Sequence, residues 1–356
     1  MMVSRLVFGL SLCCAARAFL APAALERIVV PSAHAPRYGS RMSTINTASS
    51  PVGTEAQADV ETRFWKWRDF DIRYKVSGEG KSGPPMILVH GFGGNADHWR
   101  KNMAELSQNG PVYAIDLLGY GFSSKPDPGP WAEKNAIYNF ENWSAQLLDF
   151  SKQVVGQKVF IVCNSVGGVA GLQAGIDDAE QVLGVVLFNI SLRMLHVSKQ
   201  SPLAAPLVSA LQYVLRETPV GAAFFSSVAK AKAVSSILKQ CYGDAAAVTD
   251  ELVECILRPG LEPGAVKVFL DFISYSGGPL PEDLLANIKV PVLIGWGEKD
   301  PWEPLEQGRA FAEFDSVEDF VVLKGAGHCP QDEAPHLTDP LVSSFVQRHY
   351  SLATAQ

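Results

Sequence analysis

The sequence predicts an α/β protein: a mostly parallel sheet with helices on both faces and an inserted helical cap. Three observations carry this. Short, unbroken apolar runs recur along the chain, as in strands buried on both faces. Amphipathic stretches of helical length lie between most of them. One long interval, about 191–286, has no strong strand signal and is broken by prolines.

The elements follow in order. Residues 64–76 alternate in polarity and suggest a strand pair turning near Arg68 and Asp69. The apolar runs 85–89, 111–115, 159–162, 183–188, 290–294 and 320–323 are the predicted buried strands. Residues 96–106 and 140–154 are the clearest predicted helices, and a helix over 341–349 closes the chain. Between 191 and 286, Pro202, Pro206, Pro219, Pro259 and Pro263 divide an Ala-, Val- and Leu-rich stretch into several short helices. An insertion at this point would cover the carboxyl ends of the strands, where open α/β sheets bind ligands. The alternative is an extension packed on the side of the sheet.

The chain has 356 residues, 47% of them hydrophobic, enough for one large core or two smaller ones. Its net charge is −7, yet the first fifty residues hold five arginines and one acid, which leaves −11 on the rest. An acidic body argues against a nucleic-acid partner. No apolar run reaches the roughly 18 residues that span a bilayer. The six cysteines form no C-x-x-C pair, so neither a zinc site nor a disulfide framework is expected.

The N-terminus reads as a leader in two parts. Arg5, an apolar stretch at 6–16 and the small-x-small triplet Ala16-Arg17-Ala18 predict a signal peptide over 1–18. Residues 19–58 open with Phe19-Leu20-Ala21-Pro22, are rich in Ala, Ser, Thr, Pro and Arg, and are similar to a transit peptide. Together they resemble the two-part leaders of complex plastids and predict a plastid location, with secretion the alternative. The functional domain is then 59–350. The sequon Asn142-Trp143-Ser144 would matter only on the secretory route.

Four loops after predicted strands could carry chemistry. His90-Gly91-Phe92-Gly93-Gly94 can turn tightly and present N–H groups to an anion. Residues 116–124 are turn-rich, and Ser123 and Ser124 read as turn and capping residues. In KVFIVCNSVGGVAG (158–171), Ser165 stands where a strand meets a helix, a turn that projects Oγ clear of the sheet. Ser165 could equally be a plain N-cap. Cys163 occupies the place where G-x-S-x-G turns have glycine. It is expected to be buried, with Gly167 facing it.

The fourth element is a pair of loops, 297–303 and 325–328. A serine hydroxyl needs a base to take its proton, histidine suits that role, and a carboxylate fixes the imidazole tautomer. The chain order Ser165, Asp300, His328 is the order this fold uses. Asp300-Pro301-Trp302-Glu303 is also a capping box with proline at N1. The rival acids are Glu298, Asp332 and Glu333, and the run 183–188 ends in Asn189 rather than an acid. His90 and His98 precede the serine, His196 lies in the cap, and His336 and His349 fall near the last helix.

HGFGG, DLLGYGFSS, CNSVGG, GEKDPWEP and GAGHCPQD, in this order over 64–349, resemble the α/β-hydrolase superfamily. Within it, HGFGGNADHWRKN and DLLGYG are similar to a plastid group that includes relatives of pheophytinase and chlorophyll dephytylase. The resemblance implies an oxyanion hole from the backbone N–H groups of Phe92 and Val166, each donor contributing about 3–4 kcal/mol. It implies no metal or organic cofactor. Serine at 165, where some relatives attack with Asp, argues against dehalogenase and epoxide hydrolase chemistry.

The expected function is a serine hydrolase of lipophilic carboxylic esters, acting through an acyl-enzyme. Phytyl-ester hydrolysis of chlorophyll-type pigments is a special case. C–C bond cleavage on the same residues and a slow-turnover ligand receptor are the rivals. The expected partners are a small lipophilic ester and a thylakoid membrane surface, with no nucleic acid; the oligomeric state stays open. The apolar cap segments 203–208, 211–215 and 220–225 motivate the lipophilic substrate, unless they simply pack on the main body.

Overall fold

The computed structural model describes residues 41–46 and 60–354. The expected signal peptide, and residues 19–40 and 47–58 of the expected leader, lie outside the described residues.

Nine strands form one sheet: β1 (Arg41–Asn46), β2 (Glu61–Trp67), β3 (Phe70–Ser77), β4 (Met86–Val89), β5 (Val112–Ile115), β6 (Val159–Asn164), β7 (Val182–Phe188), β8 (Val292–Gly297) and β9 (Val317–Lys324). Their spatial order is β1-β9-β8-β7-β6-β4-β5-β3-β2. Only the β2–β3 and β3–β5 pairs are antiparallel. Arg68, at the hairpin turn between β2 and β3, has a φ of 53°. The apolar runs became strands because both sheet faces are covered. Ile87, Val89, Ile161 and Cys163 pack into one core, while Met86, Leu88, Phe160 and Val162 pack into the other. The strand β1 falls within the stretch read as leader, yet it pairs in parallel with β9.

The α-helices of seven residues or more are α1 (Phe140–Phe150), α2 (Val166–Asp177), α3 (Ala205–Glu217), α4 (Pro219–Val228), α5 (Ala231–Cys241), α6 (Asp250–Gly260), α7 (Ala265–Ile273), α8 (Pro281–Asn287) and α9 (Pro335–Thr354). After α1 the chain continues as a π-helical turn, Ser151–Val155, and stops at left-handed Gly156. The helix expected over 96–106 is broken into a 3₁₀ turn, Ala96–Trp99, and a single turn, Met103–Leu106. Polar anchors divide it. Asp116 Oδ1 accepts the Ala96 N–H, and the Asn102 side chain donates to the Gln331 carbonyl and to Asp339.

Between β7 and β8 the chain forms α3 to α8. The insertion was expected to reach about 286, but α8 packs against α2 in the layer beside the sheet. There Ile288 fills the space above Gly175. Of the others, α4 to α7 contribute side chains to the pocket that holds Ser165 at the end of β6.

Cys163 is buried as expected, but Gly167 does not face it. A Cβ added at Gly171 would lie 2.5 Å from Cys163 Sγ, whereas one at Gly167 would lie 2.5 Å from the His90 carbonyl oxygen. The strand side chain points into the layer that α2 covers, so it meets the helix one turn further along. Gly167 instead lets the helix start pass the backbone at the end of β4.

Candidate active site

Ser165 links β6 to α2 with φ 55° and ψ −124°, a conformation that costs about 1–3 kcal/mol for a residue with a Cβ. The backbone around it holds the strain in place. Ser165 N–H donates to the Phe188 carbonyl, and its own carbonyl accepts from Gly168 and Ser191. Ser165 Oγ lies 3.0 Å from His328 Nε2. His328 Nδ1 lies 2.7 Å from Asp300 Oδ2. The structure thus brings the three residues, from the ends of β6, β8 and β9, into one hydrogen-bonded line.

Each member is anchored separately. His328 N–H donates to the Cys241 carbonyl at the end of α5, and the His328 carbonyl accepts from Asn164 Nδ2. The Trp302 ring lies 5.1 Å from the imidazole, centroid to centroid. Asp300 divides its two oxygens. Oδ1 accepts the N–H groups of Trp302 and Glu303, and Oδ2 accepts from Asn189 Nδ2 and faces His328. The capping and histidine-orienting readings of Asp300 thus coexist on different atoms. No helix begins at Pro301, however; the next starts at Leu305. Nor does Glu303 reach back to the Asp300 N–H, which closes on the Gly297 carbonyl. The Glu303 carboxyl accepts from Ser191 Oγ at 3.0 Å instead.

The electrostatics follow from burial. Desolvation pulls the His328 pKa down, but the charge of Asp300 and its hydrogen bond outweigh this and raise it to about 9. Burial pushes the Glu303 carboxyl up to about 7. Its Oε2 has no hydrogen-bond partner among the described residues.

The other candidates are engaged elsewhere. His90 sits between the Gly91 carbonyl and the Leu117 N–H. His98 meets the Tyr242 hydroxyl, and Tyr242 donates to Asp332. His196 contacts the Gly278 carbonyl, and His349 pairs with Glu318. Asp332 pairs with Arg100, Glu333 accepts from the backbone of Gly243, Asp244 and Gly327, and Glu298 accepts from Gly325. Ser123 and Ser124 accept the Arg73 and Asp71 N–H groups and fasten their loop to β3.

The turn after β4 runs directly beside the nucleophile position. A Cβ added at Gly91 would lie 2.9 Å from Ser165 Cβ. Val166 opens α2, where a first-turn N–H has no intrahelical acceptor. The Phe92 side chain stacks on Phe272 with centroids 5.1 Å apart. These rings form part of a pocket of about 570 Å³ that reaches Ser165 and His328. Tyr120, Phe225, Phe269 and Trp302 add to its largely apolar wall.

Two supporting residues, Asn189 and Asn164, escape the sequence pattern. Asn189, set aside because it is not an acid, donates to Asp300 Oδ2 at 2.7 Å and accepts the Gly297 N–H. Its φ of 47° is a left-handed conformation that asparagine tolerates. Asn164 fastens the histidine loop, and nothing in its local pattern announced that.

A mostly parallel sheet thus presents Ser165, His328 and Asp300 at its strand ends, in hydrogen-bonding reach of one another. The chain belongs to the alpha/beta hydrolase family, whose model matches residues 86–339. It is similar to the chloroplastic pheophytinase of Arabidopsis thaliana, 24% identical over 82% of this chain and 68% of that protein. It is also similar to 2-hydroxy-6-oxo-6-(2'-aminophenyl)hexa-2,4-dienoic acid hydrolase of Metapseudomonas resinovorans, 24% identical over 85% and 97% of the two chains. Among solved structures, a thermophilic esterase from Thermogutta terrifontis superposes with a TM-score of 0.62 at 19% identity, covering 82% of this chain and 99% of that one.

Proposed function

We propose that this protein is a serine hydrolase of lipophilic carboxylic esters, acting through an acyl-enzyme. The observation that carries the reading is the line Ser165–His328–Asp300 opening onto an apolar pocket. In the first step His328 Nε2 takes the Ser165 proton as Oγ attacks the ester carbonyl carbon. The N–H groups of Phe92 and Val166 receive the developing oxyanion. Collapse breaks the bond to the alcohol oxygen, and His328 returns the proton to it. Water then repeats the sequence on the acyl-enzyme, releasing the acid and restoring Ser165. Asp300 holds the Nδ1–H tautomer and stabilises the imidazolium that forms twice per cycle.

The base must be neutral to take the serine proton, and the His328 pKa is raised to about 9. Hydrolysis is therefore expected to climb with pH on the acid side of that value and then level off. A kcat/KM profile that is flat from pH 6 upward, at about one sampled unit per step, would remove His328 from the role of base.

The similarity to a chloroplastic pheophytinase supports one narrower reading, phytyl-ester hydrolysis in a plastid. Both readings are tested by assaying esters of graded chain length beside phytyl-ester pigments. Each methylene that enters the pocket is worth about 0.8 kcal/mol, roughly fourfold in kcat/KM until the pocket is full. A preference for short acyl and short alcohol groups would sink the lipophilic reading. Release of phytol at a rate below that of simple long-chain esters would sink the pigment reading alone.

A further inference from the structure

We propose that the cap carries a docking face for an anionic lipid surface, formed by α3 and the start of α4 beside the pocket. An apolar stripe of α3 is turned outward. In α3 and the turn before it, Leu203, Leu207, Leu211 and Val214 recur at intervals of four, four and three, which places them on one face. That face should be buried in a soluble protein, yet these side chains are 88%, 66%, 48% and 40% exposed. Val220, in the first turn of α4, is 55% exposed. The face of α3 that packs on the cap is mixed: Ala205, Val208 and Leu215 are half-buried beside two polar anchors. Gln212 is buried and donates to the Ile273 carbonyl and Ser276 Oγ, and Arg216 pairs with Asp271 of α7. The apolar cap segments thus pack in part, through Phe225, and in part face outward.

Charge selects the occupant. From Val197 to Cys241 the one acid is Glu217, which is ion-paired with Arg216. Lys230, Lys232 and Lys239 are exposed and have no carboxylate partner among the described residues. The next helix, α6, carries Asp250, Glu251 and Glu254 against Arg258 alone, so the net positive charge lies on the α3–α5 side of the cap. Exposed aliphatic side chains, on a stretch of the cap that also carries unpaired exposed lysines, fit an anionic bilayer surface. The same positive charge disfavours a second copy of this face. It also disfavours the chain's own N-terminal fifty residues, which hold five arginines and one acid.

The face is continuous with the pocket. The helix α4 presents Val220 outward and lines the pocket with Phe224 and Phe225. On α5, Ile237 lines the same pocket and is also exposed at 36%. The helix α4 thus connects the exposed face to the pocket that contains Ser165. This docking stands apart from the hydrolytic reading, because binding needs no turnover.

The test is sedimentation of the full chain with vesicles of phosphatidylcholine, with and without phosphatidylglycerol. The expected result is partition to the mixed vesicles that weakens with added salt. Partition should fall at least about tenfold in Leu207→Asp/Leu211→Asp and fall also in Lys230→Glu/Lys232→Glu. Both variants should keep wild-type hydrolysis of a short water-soluble ester, which shows that they fold. Because the N-terminal segment is the same in every sample, the difference between wild type and variant reports the cap alone. Equal partition of the aspartate variant and wild type overturns the proposal. So does a wild-type dimer in gel filtration that the aspartate variant converts to monomer with no vesicle binding in either, which would make the face a protein interface.

Discussion

Ser165→Ala is expected to lower kcat on the order of 10⁵-fold and to abolish labelling by a fluorophosphonate probe. The fold should be unaffected. Alanine keeps the Cβ that already fits against Gly91, and the backbone bonds that hold the strained turn do not involve the hydroxyl. The substitution removes a single side-chain hydrogen bond, the 3.0 Å link to His328. Residual hydrolysis would come from oxyanion stabilisation and binding, worth on the order of 10³-fold over water. Undiminished labelling of a folded variant would remove Ser165 from the chemistry and leave the turn as a strand–helix junction.

Asp300→Asn should cost on the order of 10⁴-fold in kcat with little change in KM. The structure dictates which way the new amide would face. Oδ1 accepts two backbone N–H groups, from Trp302 and Glu303, so the amide oxygen must take that side. The amide NH₂ then faces His328 Nδ1, which can only accept from it. The imidazole proton moves to Nε2, and the base can no longer take the proton of Ser165. Asn189 deepens the loss. Its oxygen is held by the Gly297 N–H, so its own NH₂ would confront the new one. Kinetics on the folded variant decide the matter: a loss below about tenfold would show that another group orients His328.

Much of the fold was legible because the central strands are buried on both faces. Runs such as 85–89 and 183–188 can be unbroken and apolar only if both sides are dry. The candidate residues were legible because each stands just after such a run, where the fold presents its loops. Local pattern failed where a partner distant in sequence decides. The 96–106 helix is amphipathic, but Asp116, Gln331 and Asp339 divide it. The capping box at Asp300 has the right spacing, but Glu303 is drawn to Ser191, 112 residues away, and no helix starts there. Cys163 was rightly expected to be buried, yet its neighbour is Gly171, because which helix turn crosses a strand depends on how the two pack.

By itself, then, the sequence determined the alternation of strand and helix and the identity and order of Ser165, Asp300 and His328. Periodicity and position relative to a strand are local properties that a chain carries with it. Only the tertiary structure decided which oxygen of Asp300 faces the imidazole, that Asn189 supports it, and that the apolar stripe of α3 points outward. A hydrophobic period states that a helix has an apolar face. What that face meets is set by the polar contacts on the other side, here Gln212 and Arg216, and those exist only once the chain has folded.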